Sequence, residues 1–480
     1  MNAATLKPNS KGRRAVAAAL VLTGLALLSY ALTDDPVYGG EPGFGRVQAV
    51  IAAIGLVISL CAWAPLAAAQ RVLLLVLSTL ALVALAEIAG ERFLSQRHRP
   101  IYQFDDRLIF KLIPNRTSST TLDAANGGAT VVHSINSRGF RGPELRHDGK
   151  APRVVVYGDS FIHAYYTRNE QTFCAQLSAA LGKMAGRDVE VVNAGVSSYG
   201  PDQVALRMEA ELPDLKPDLV VVSVFAGNDY GDLLRNKIYQ LGATGSLEAR
   251  AWSLDPKVRR AFDISQRESI LKRAARDAMS RWRPPKDARA MQTEPGANVS
   301  GTLDFLLEEA RREYRSAVID RDEVVTNTHI DYYSADVSLE PDSASATYKV
   351  MLMRAVLQRI QKIAVDHGVR LAFMFVPHRF DAADNYDWGP VDLRRFPRYD
   401  PRNQIAPLER MAAQMQVPAL SLYDPFRSAG ATSLYLKGGE DHWNARGQEL
   451  AATAMARMLI DLDWVTRSAG AQPTSAAGAR

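Results

Sequence analysis

The chain has 480 residues, with 57 lysines and arginines against 52 aspartates and glutamates, which leaves a formal net charge of +5. Hydrophobic residues make up 47% and charged residues 23%, a composition that excludes a disordered or collagen-like protein. The basic residues are scattered, so no nucleic-acid partner is expected. The two cysteines, Cys61 and Cys174, form neither a CxxC motif nor a zinc-binding spacing.

Residues 1–91 have the composition of a membrane region. Three long apolar runs are predicted transmembrane helices: residues 15–33, 47–69 and 72–90. A bilayer core needs about 20 apolar residues in a helix, and the third run meets this length only with Glu87 at an interface. A cleaved signal peptide is the less favoured interpretation of the first run, because no clear A-x-A site follows it. The sequence therefore predicts an integral membrane protein in contact with a lipid bilayer.

Basic residues near these runs predict their orientation. Four basic residues precede the first run: Lys7, Lys11, Arg13 and Arg14. The following loop is mainly acidic, so the N-terminus is predicted to be cytoplasmic. Three crossings then place the rest of the chain in a periplasmic or extracellular space. Three arginines directly after the third run, Arg92, Arg97 and Arg99, count against this orientation.

Residues 92–149 are interpreted as a connecting segment, and residues 150–465 as a globular domain. Five apolar strands are predicted in the domain: Arg153–Tyr157, Val189–Val192, Leu219–Val224, Leu371–Val376 and Ala419–Tyr423. Amphipathic helices are predicted between and after them: Asn169–Met184, Pro201–Leu212, 345–367 and Ala445–Ile460. This alternation is typical of a parallel sheet covered by helices on both faces.

The charged stretch at residues 235–344 interrupts the alternation and is interpreted as an insertion. It is either a lid or substrate-binding cap, or a helical surface elaboration or partly disordered loop. Residues 466–480 are rich in Ala, Gly and Ser and are predicted to be disordered.

Four strand-end loops contain residues that are suited to acyl transfer. Active sites in parallel sheets lie beyond the carboxyl ends of the strands, where these loops meet. Ser160 is a possible nucleophile, Gly195 a possible backbone donor, Asn228 a possible amide donor and His442 a possible base. Alone, Gly195 and Asn228 are more simply explained as turn residues and His442 as a surface residue, whereas Ser160 is equally well explained as a helix cap. Together the four form one chemical set.

The same four loops resemble the blocks of the SGNH (GDSL) hydrolase family. Gly158-Asp159-Ser160-Phe161 resembles the first block, with Phe in place of the usual Leu, and Gly195, Gly227-Asn228-Asp229 and His442 resemble the others in the same order. The segment Asn136–Glu144 resembles the lead-in of membrane-anchored members. The resemblance implies an α/β fold, a flavodoxin-like three-layer α/β/α sandwich with a parallel sheet, preceded here by the three transmembrane helices.

The resemblance also implies a mechanism. Ser160 would be the nucleophile activated by His442, and the oxyanion hole would consist of the Ser160 and Gly195 backbone N–H groups and the Asn228 side chain. No metal or cofactor is required. The usual orienting Asp stands two or three residues before the His, and these positions hold Glu440 and Gly439 here. Glu440 is the preferred candidate, because the side chain of the adjacent Asp441 is expected to point elsewhere. Asp441, a Ser–His dyad and Asp424 are the alternatives.

The leading functional hypothesis is a membrane-anchored serine ester hydrolase acting on an acylated small molecule or glycan. One alternative is an O-acetyltransferase or deacetylase acting on a cell-surface polysaccharide, since the chemistry up to the acyl-enzyme is shared. Tyr165, Tyr166 and Trp443 lie close to the blocks and would either stack on sugar rings or pack in the core. A second alternative is a non-catalytic binding protein with the same fold.

Overall fold

The structure, a computed structural model, describes residues 10–33, 44–93, 101–122, 124–146, 149–250, 269–271, 334–383, 393–437 and 441–465. The chain divides into two compact units, the first formed by Met1–His98 with Asp255–Arg283 and the second by Arg99–Leu254 with Pro284–Arg480. The predicted tail 466–480, most of the predicted insertion and Glu440 lie outside the described residues.

The first unit contains three apolar helices: α1 (Ser10–Leu32), α2 (Arg46–Leu60) and α3 (Leu66–Phe93). Helices α1 and α3 are long and apolar enough to cross a membrane, whereas α2 is shorter. The prediction of one long helix over 47–69 is therefore wrong. After α2 the chain forms a 3₁₀ turn at Cys61–Trp63 and an extended Ala64, as expected before Pro65, and residues 66–69 already belong to α3.

Helices α1 and α2 pack closely where two glycines meet. A Cβ on Gly24 would lie 2.3 Å from the Gly55 carbonyl oxygen, and a Cβ on Gly55 would lie 2.8 Å from that of Gly24. Small residues at such crossings are typical of helices that associate in lipid. Among the described residues, the exposed large hydrophobic side chains fall between Leu22 and Phe93, with these exceptions: Val132, Met184, Met351 and Val365.

Glu87 on α3 binds a returning segment of the chain. Its carboxylate accepts hydrogen bonds from the Ser269 hydroxyl at 2.7 Å, the Ile270 N–H at 2.7 Å and the Leu271 N–H at 3.4 Å. These residues lie within the predicted insertion, so this part of it packs in the first unit.

The second unit contains eleven strands among its described residues: β1 (Tyr102–Asp105), β2 (Ile109–Leu112), β3 (Arg116–Thr121), β4 (Thr130–Ile135), β5 (Arg153–Gly158), β6 (Glu190–Gly195), β7 (Leu219–Phe225), β8 (Tyr239–Leu241), β9 (Leu247–Ala249), β10 (Arg370–Val376) and β11 (Ala419–Ser421). Strands β5, β6, β7, β10 and β11 form one parallel sheet in the order β11-β10-β7-β5-β6. The first sheet strand in the chain thus lies between the second and third, which is the flavodoxin-like order.

The fifth predicted strand is shorter than expected, because a helix already begins at Tyr423. Three antiparallel pairs accompany the sheet: β1–β2, β3–β4 and β8–β9. Residues 102–135, which were interpreted as part of a connecting segment, thus form two strand pairs of this unit.

Ten helices follow in the described part of the second unit: α4 (Ser160–His163), α5 (Phe173–Ala185), α6 (Pro201–Leu215), α7 (Asp229–Asn236), α8 (Ala335–Leu339), α9 (Ala344–Asp366), α10 (Arg379–Ala382), α11 (Ile405–Met415), α12 (Tyr423–Ser428) and α13 (Ala445–Asp461). Alternate residues of β5 enter two separate cores. Val155 and Tyr157 pack with α6, α9 and α11, whereas Val154 and Val156 pack with α5 and α13. The three-layer α/β/α architecture follows from this alternation.

Candidate active site

The strand order places a crevice at the carboxyl ends of β5 and β7, because their connections leave toward opposite faces of the sheet. Ser160 directly follows β5, and Asn228 follows β7. The predicted nucleophile and amide donor therefore lie at neighbouring strand ends.

Ser160 begins the single helical turn α4. Asp159 caps the turn by accepting a hydrogen bond from the Phe161 N–H at 3.0 Å. Ala164 ends it in a left-handed conformation, with φ 53°, and donates its N–H to the Ser160 carbonyl at 2.7 Å. The predicted nucleophile thus lies at the beginning of a very short helix, and its side chain is half-buried.

His442 lies beside this turn. Its ring centroid is 5.2 Å from that of Phe161, the residue next to Ser160. Its charge also acts on the buried Asp159 carboxyl on the other side of Ser160. A ring contact to Phe161 and an electrostatic interaction with Asp159 therefore place the predicted base near the predicted nucleophile, although the two come from opposite ends of the domain.

Asp441 is the carboxylate that the structure places against His442. Its Oδ1 is 3.3 Å from His442 Nδ1, and both side chains are partly exposed. The expectation that adjacency in sequence directs the Asp441 side chain elsewhere is wrong. The preferred candidate, Glu440, lies outside the described residues, and Asp424 instead pairs with Arg402 at 3.0 Å.

Gly195 is packed tightly against the nucleophile turn. A Cβ there would lie 2.3 Å from the His163 backbone nitrogen, so only glycine fits. Its N–H donates to Asn193 Oδ1 at 3.0 Å. That bond uses the hydrogen that was expected to face the oxyanion, so the structure explains Gly195 by close packing instead.

Asn228 precedes α7, and its buried Oδ1 has no hydrogen-bond partner among the described residues. The next residue, Asp229, is also buried. Burial, and then the negative charge of Asp159, raise the pKa of Asp229 well above its usual range. Burial likewise raises the pKa of Asp159, while the Phe161 N–H and His442 oppose the shift. The floor of the crevice therefore disfavours a second negative charge.

His378, another histidine at a strand end, has a structural role. It is buried and stacks on Phe380 with ring centroids 4.6 Å apart, and its Nδ1 accepts the Phe380 N–H at 3.1 Å. Burial lowers the pKa of His378 to about 3, followed by the charge of Arg379. The ring is therefore neutral and is occupied in capping α10.

The three aromatic residues near the blocks have different environments. Tyr165 and Trp443 are each 1% exposed and pack in the core. Tyr166 is half-buried, and its ring centroid is 5.4 Å from that of His442. Of the three, only Tyr166 is partly exposed, and its ring contacts that of the predicted base.

Two further residues, one after β6 and one at the end of the α4 turn, were not predicted as site residues. Ser198, after β6, adopts φ 64°, which is rare for a residue with a side chain, and the sequence offers no signal for it. Arg141 binds the end of the α4 turn. The sequence indicated Arg141 only through the segment Asn136–Glu144, and the resemblance of that segment to the lead-in of membrane-anchored members assigns no role to any single residue.

A sequence profile described as the GDSL-like Lipase/Acylhydrolase family matches residues 156–388, which include Ser160, Gly195 and Asn228 but not His442. No curated protein gives a significant match.

Among solved structures, the chain is similar to an esterase from Pseudoalteromonas sp., with 12% identity, a TM-score of 0.31 and coverage of 65% of this chain and 97% of that one. It is also similar to an acetylxylan esterase from Geobacillus stearothermophilus, with 12% identity, a TM-score of 0.33 and coverage of 67% and 100%. At such TM-scores these similarities add no argument, and the fold rests on the strand order described above.

Proposed function

We propose that Ser160 and His442 carry out the reaction of this chain. Through residues 156–388 the chain belongs to the GDSL-like lipase/acylhydrolase family and is an ester-hydrolysing enzyme. The proposal rests on one observation above all. The residues on both sides of Ser160 interact with His442, which in turn has a carboxylate at 3.3 Å from Nδ1. Nucleophile, base and orienting acid are the parts of a serine esterase.

In the proposed mechanism, the Ser160 hydroxyl attacks the ester carbonyl carbon while His442 takes the hydroxyl proton. The tetrahedral intermediate collapses, the alcohol leaves with the proton from His442, and the acyl group remains on Ser160. A water molecule activated by His442 then attacks the acyl-enzyme, and Ser160 is regenerated. Both halves use the same base.

The developing oxyanion needs donors at the crevice. The Ser160 backbone N–H and the Asn228 side-chain amide are the proposed donors, and each such donor contributes roughly 3 kcal/mol in comparable sites. Gly195 stays a candidate only if its N–H exchanges its bond to Asn193. Ser198 is the alternative, because a left-handed residue within a loop turns successive N–H groups toward one side.

Asp441 is the proposed orienting acid, because its carboxylate lies at the His442 ring nitrogen that a Ser–His–Asp arrangement uses. Glu440 remains the competing candidate. Asp441→Asn and Glu440→Gln separate the two, because the orienting acid is expected to affect kcat much more strongly than the other residue. An equal, small effect of both would favour a Ser–His dyad.

The N-terminal helices are proposed to anchor the enzyme in a membrane, with the catalytic domain in the periplasm or outside the cell. The exposed apolar faces and the Gly24–Gly55 contact support the anchor. The side of the membrane on which the domain lies depends on whether α2 also crosses the membrane. Three membrane crossings place the domain on the side opposite the N-terminus, and two crossings place it on the same side. Gln48–Trp63 is apolar and spans roughly 24 Å as a helix, slightly less than a bilayer core.

The competing function is an O-acetyltransferase or deacetylase that acts on a polysaccharide. The half-buried Tyr166 ring next to His442 favours a sugar ring at the crevice. A sugar hydroxyl would then take the place of water in attacking the acyl-enzyme. Added oligosaccharides, followed by mass spectrometry for acylated sugar, distinguish transfer from hydrolysis.

The test of the esterase mechanism is hydrolysis of p-nitrophenyl acetate by the full chain in detergent. Ser160→Ala is expected to abolish the enzymatic rate. Ser178→Ala is the matched control, because Ser178 lies on another helix, α5. There its hydroxyl donates to the Val189 carbonyl at 2.6 Å. Equal rates for wild type and Ser160→Ala would refute the nucleophile assignment.

A further inference from the structure

Arg141 is a charged residue in the interior of the second unit. It is 3% exposed and lies outside the residues matched by the family profile. Its guanidinium donates to backbone carbonyls of His163, Ala164 and Thr167, and its Nε donates to Asn169 Oδ1 at 3.2 Å. In the described structure, the charge of this buried cation is therefore stabilised mainly by hydrogen bonds to carbonyl oxygens.

Two of these carbonyls belong to the end of the turn that begins at Ser160. A helix of a single turn leaves its last carbonyl groups without partners of its own and is not stable in isolation. The Ser160 carbonyl accepts from Ala164, and the Ile162 carbonyl accepts from Asn193 Nδ2 at 2.7 Å. The His163 and Ala164 carbonyls accept from Arg141, and the Ala164 carbonyl also accepts the Thr167 N–H at 2.9 Å, so groups from outside the turn satisfy its end.

Arg141 also connects this turn to the neighbouring strand. Its backbone N–H donates to the Asn193 carbonyl at 3.2 Å, and Asn193 is paired with Val156 in the sheet. The same residue therefore holds the carboxyl end of α4 and contacts β6. A cation at the carboxyl end of a helix also interacts favourably with the helix dipole.

We propose that Arg141 is a positioning residue for the nucleophile: it fixes the α4 turn, and thereby the direction of the Ser160 hydroxyl, through its bonds to the carbonyls of His163, Ala164 and Thr167. The proposal rests on the proposed role of Ser160 and adds a residue from the segment that precedes β5. Burial lowers the pKa of Arg141 to about 10, so the guanidinium stays charged at neutral pH and its donors remain available.

The test compares Arg141→Gln and Arg141→Lys with wild type in the full chain. Serine reactivity is measured directly as the rate of labelling by a fluorophosphonate, together with kcat and KM for p-nitrophenyl acetate. Arg141→Gln is expected to lower the labelling rate and kcat by roughly tenfold to a hundredfold, with little change in KM, because the reacting atoms are misplaced. Arg141→Lys keeps the charge and is expected to recover part of the rate.

Arg153→Gln is the matched control. Arg153 also donates to carbonyls, those of Leu215 at 2.7 Å and of Arg146, and pairs with Glu190 at 2.7 Å, but it lies at the amino end of β5. It is expected to lower the melting temperature while the labelling rate of the folded enzyme is kept.

The outcomes distinguish a failure of the Arg141 positioning role from a failure of the Ser160 assignment. Wild-type labelling rates in folded Arg141→Gln, or equal slowing in Arg141→Gln and Arg153→Gln, would overturn the positioning role. If Arg141→Gln does not fold, the Arg141→Lys comparison decides: an unchanged kcat and labelling rate would then refute the proposal. Absence of labelling in wild type would instead count against Ser160 as the nucleophile.

Discussion

Replacement of Gly195 by Ala tests how strongly close packing against the end of β6 fixes the position of the α4 turn. The new Cβ would lie 2.3 Å from the His163 nitrogen and 2.6 Å from the Ile162 carbonyl carbon, whereas ordinary contacts begin at 3.4 Å. The turn must therefore move by about 1 Å. Because the His163 N–H bonds the Asp159 carbonyl at 2.9 Å, the displacement reaches the residue before Ser160.

A displacement of this size is expected to lower kcat about 100-fold. Overpacking is also expected to lower the free energy of unfolding by about 1–3 kcal/mol. Alanine keeps the backbone N–H, so a large loss would reflect the position of the turn rather than a missing donor. The measurements are kcat for p-nitrophenyl acetate and urea unfolding of the same preparation.

Gly182→Ala is the control, because a Cβ there meets its nearest neighbour, the Arg187 carbonyl oxygen, at 3.6 Å. Gly182 lies within α5, so alanine is expected to stabilise the protein by about 0.5–1 kcal/mol with unchanged activity. A folded Gly195→Ala enzyme with kcat within about twofold of wild type would refute the reasoning.

Two further predictions concern groups away from the reacting atoms. Burial raises the pKa of Asp381 to about 8, although hydrogen bonds from Tyr399 and Ser338 oppose the shift. The folded state therefore keeps a proton that the unfolded state releases. Because of this difference, stability is lost as pH rises from about 4 to 8. Asp381→Asn is expected to flatten this dependence in urea unfolding at pH 5 and pH 8, and an unchanged slope would contradict it. Glu87→Ala is expected to speed proteolysis around Ser269 with p-nitrophenyl acetate hydrolysis unchanged, and equal proteolysis would show that the carboxylate does not hold that segment.

The sequence by itself determined the elements whose signal is local. Apolar runs bounded by turn residues marked the strands of the parallel sheet, and the Ser160, Asn228 and His442 loops could be assigned because each directly follows or precedes such an element. Pro65 was also visible in the sequence, but the apolar run around it concealed the break between two helices.

The tertiary structure decided everything that depends on which groups meet across the sheet. The Asp441 carboxylate lies 3.3 Å from the His442 ring nitrogen, and the Gly195 N–H is used by Asn193. Arg141 comes into contact with the end of the α4 turn only when β5 and β6 are paired. Hydrogen bonds of this kind join residues that are remote along the chain, so periodicity and local composition carry no record of them.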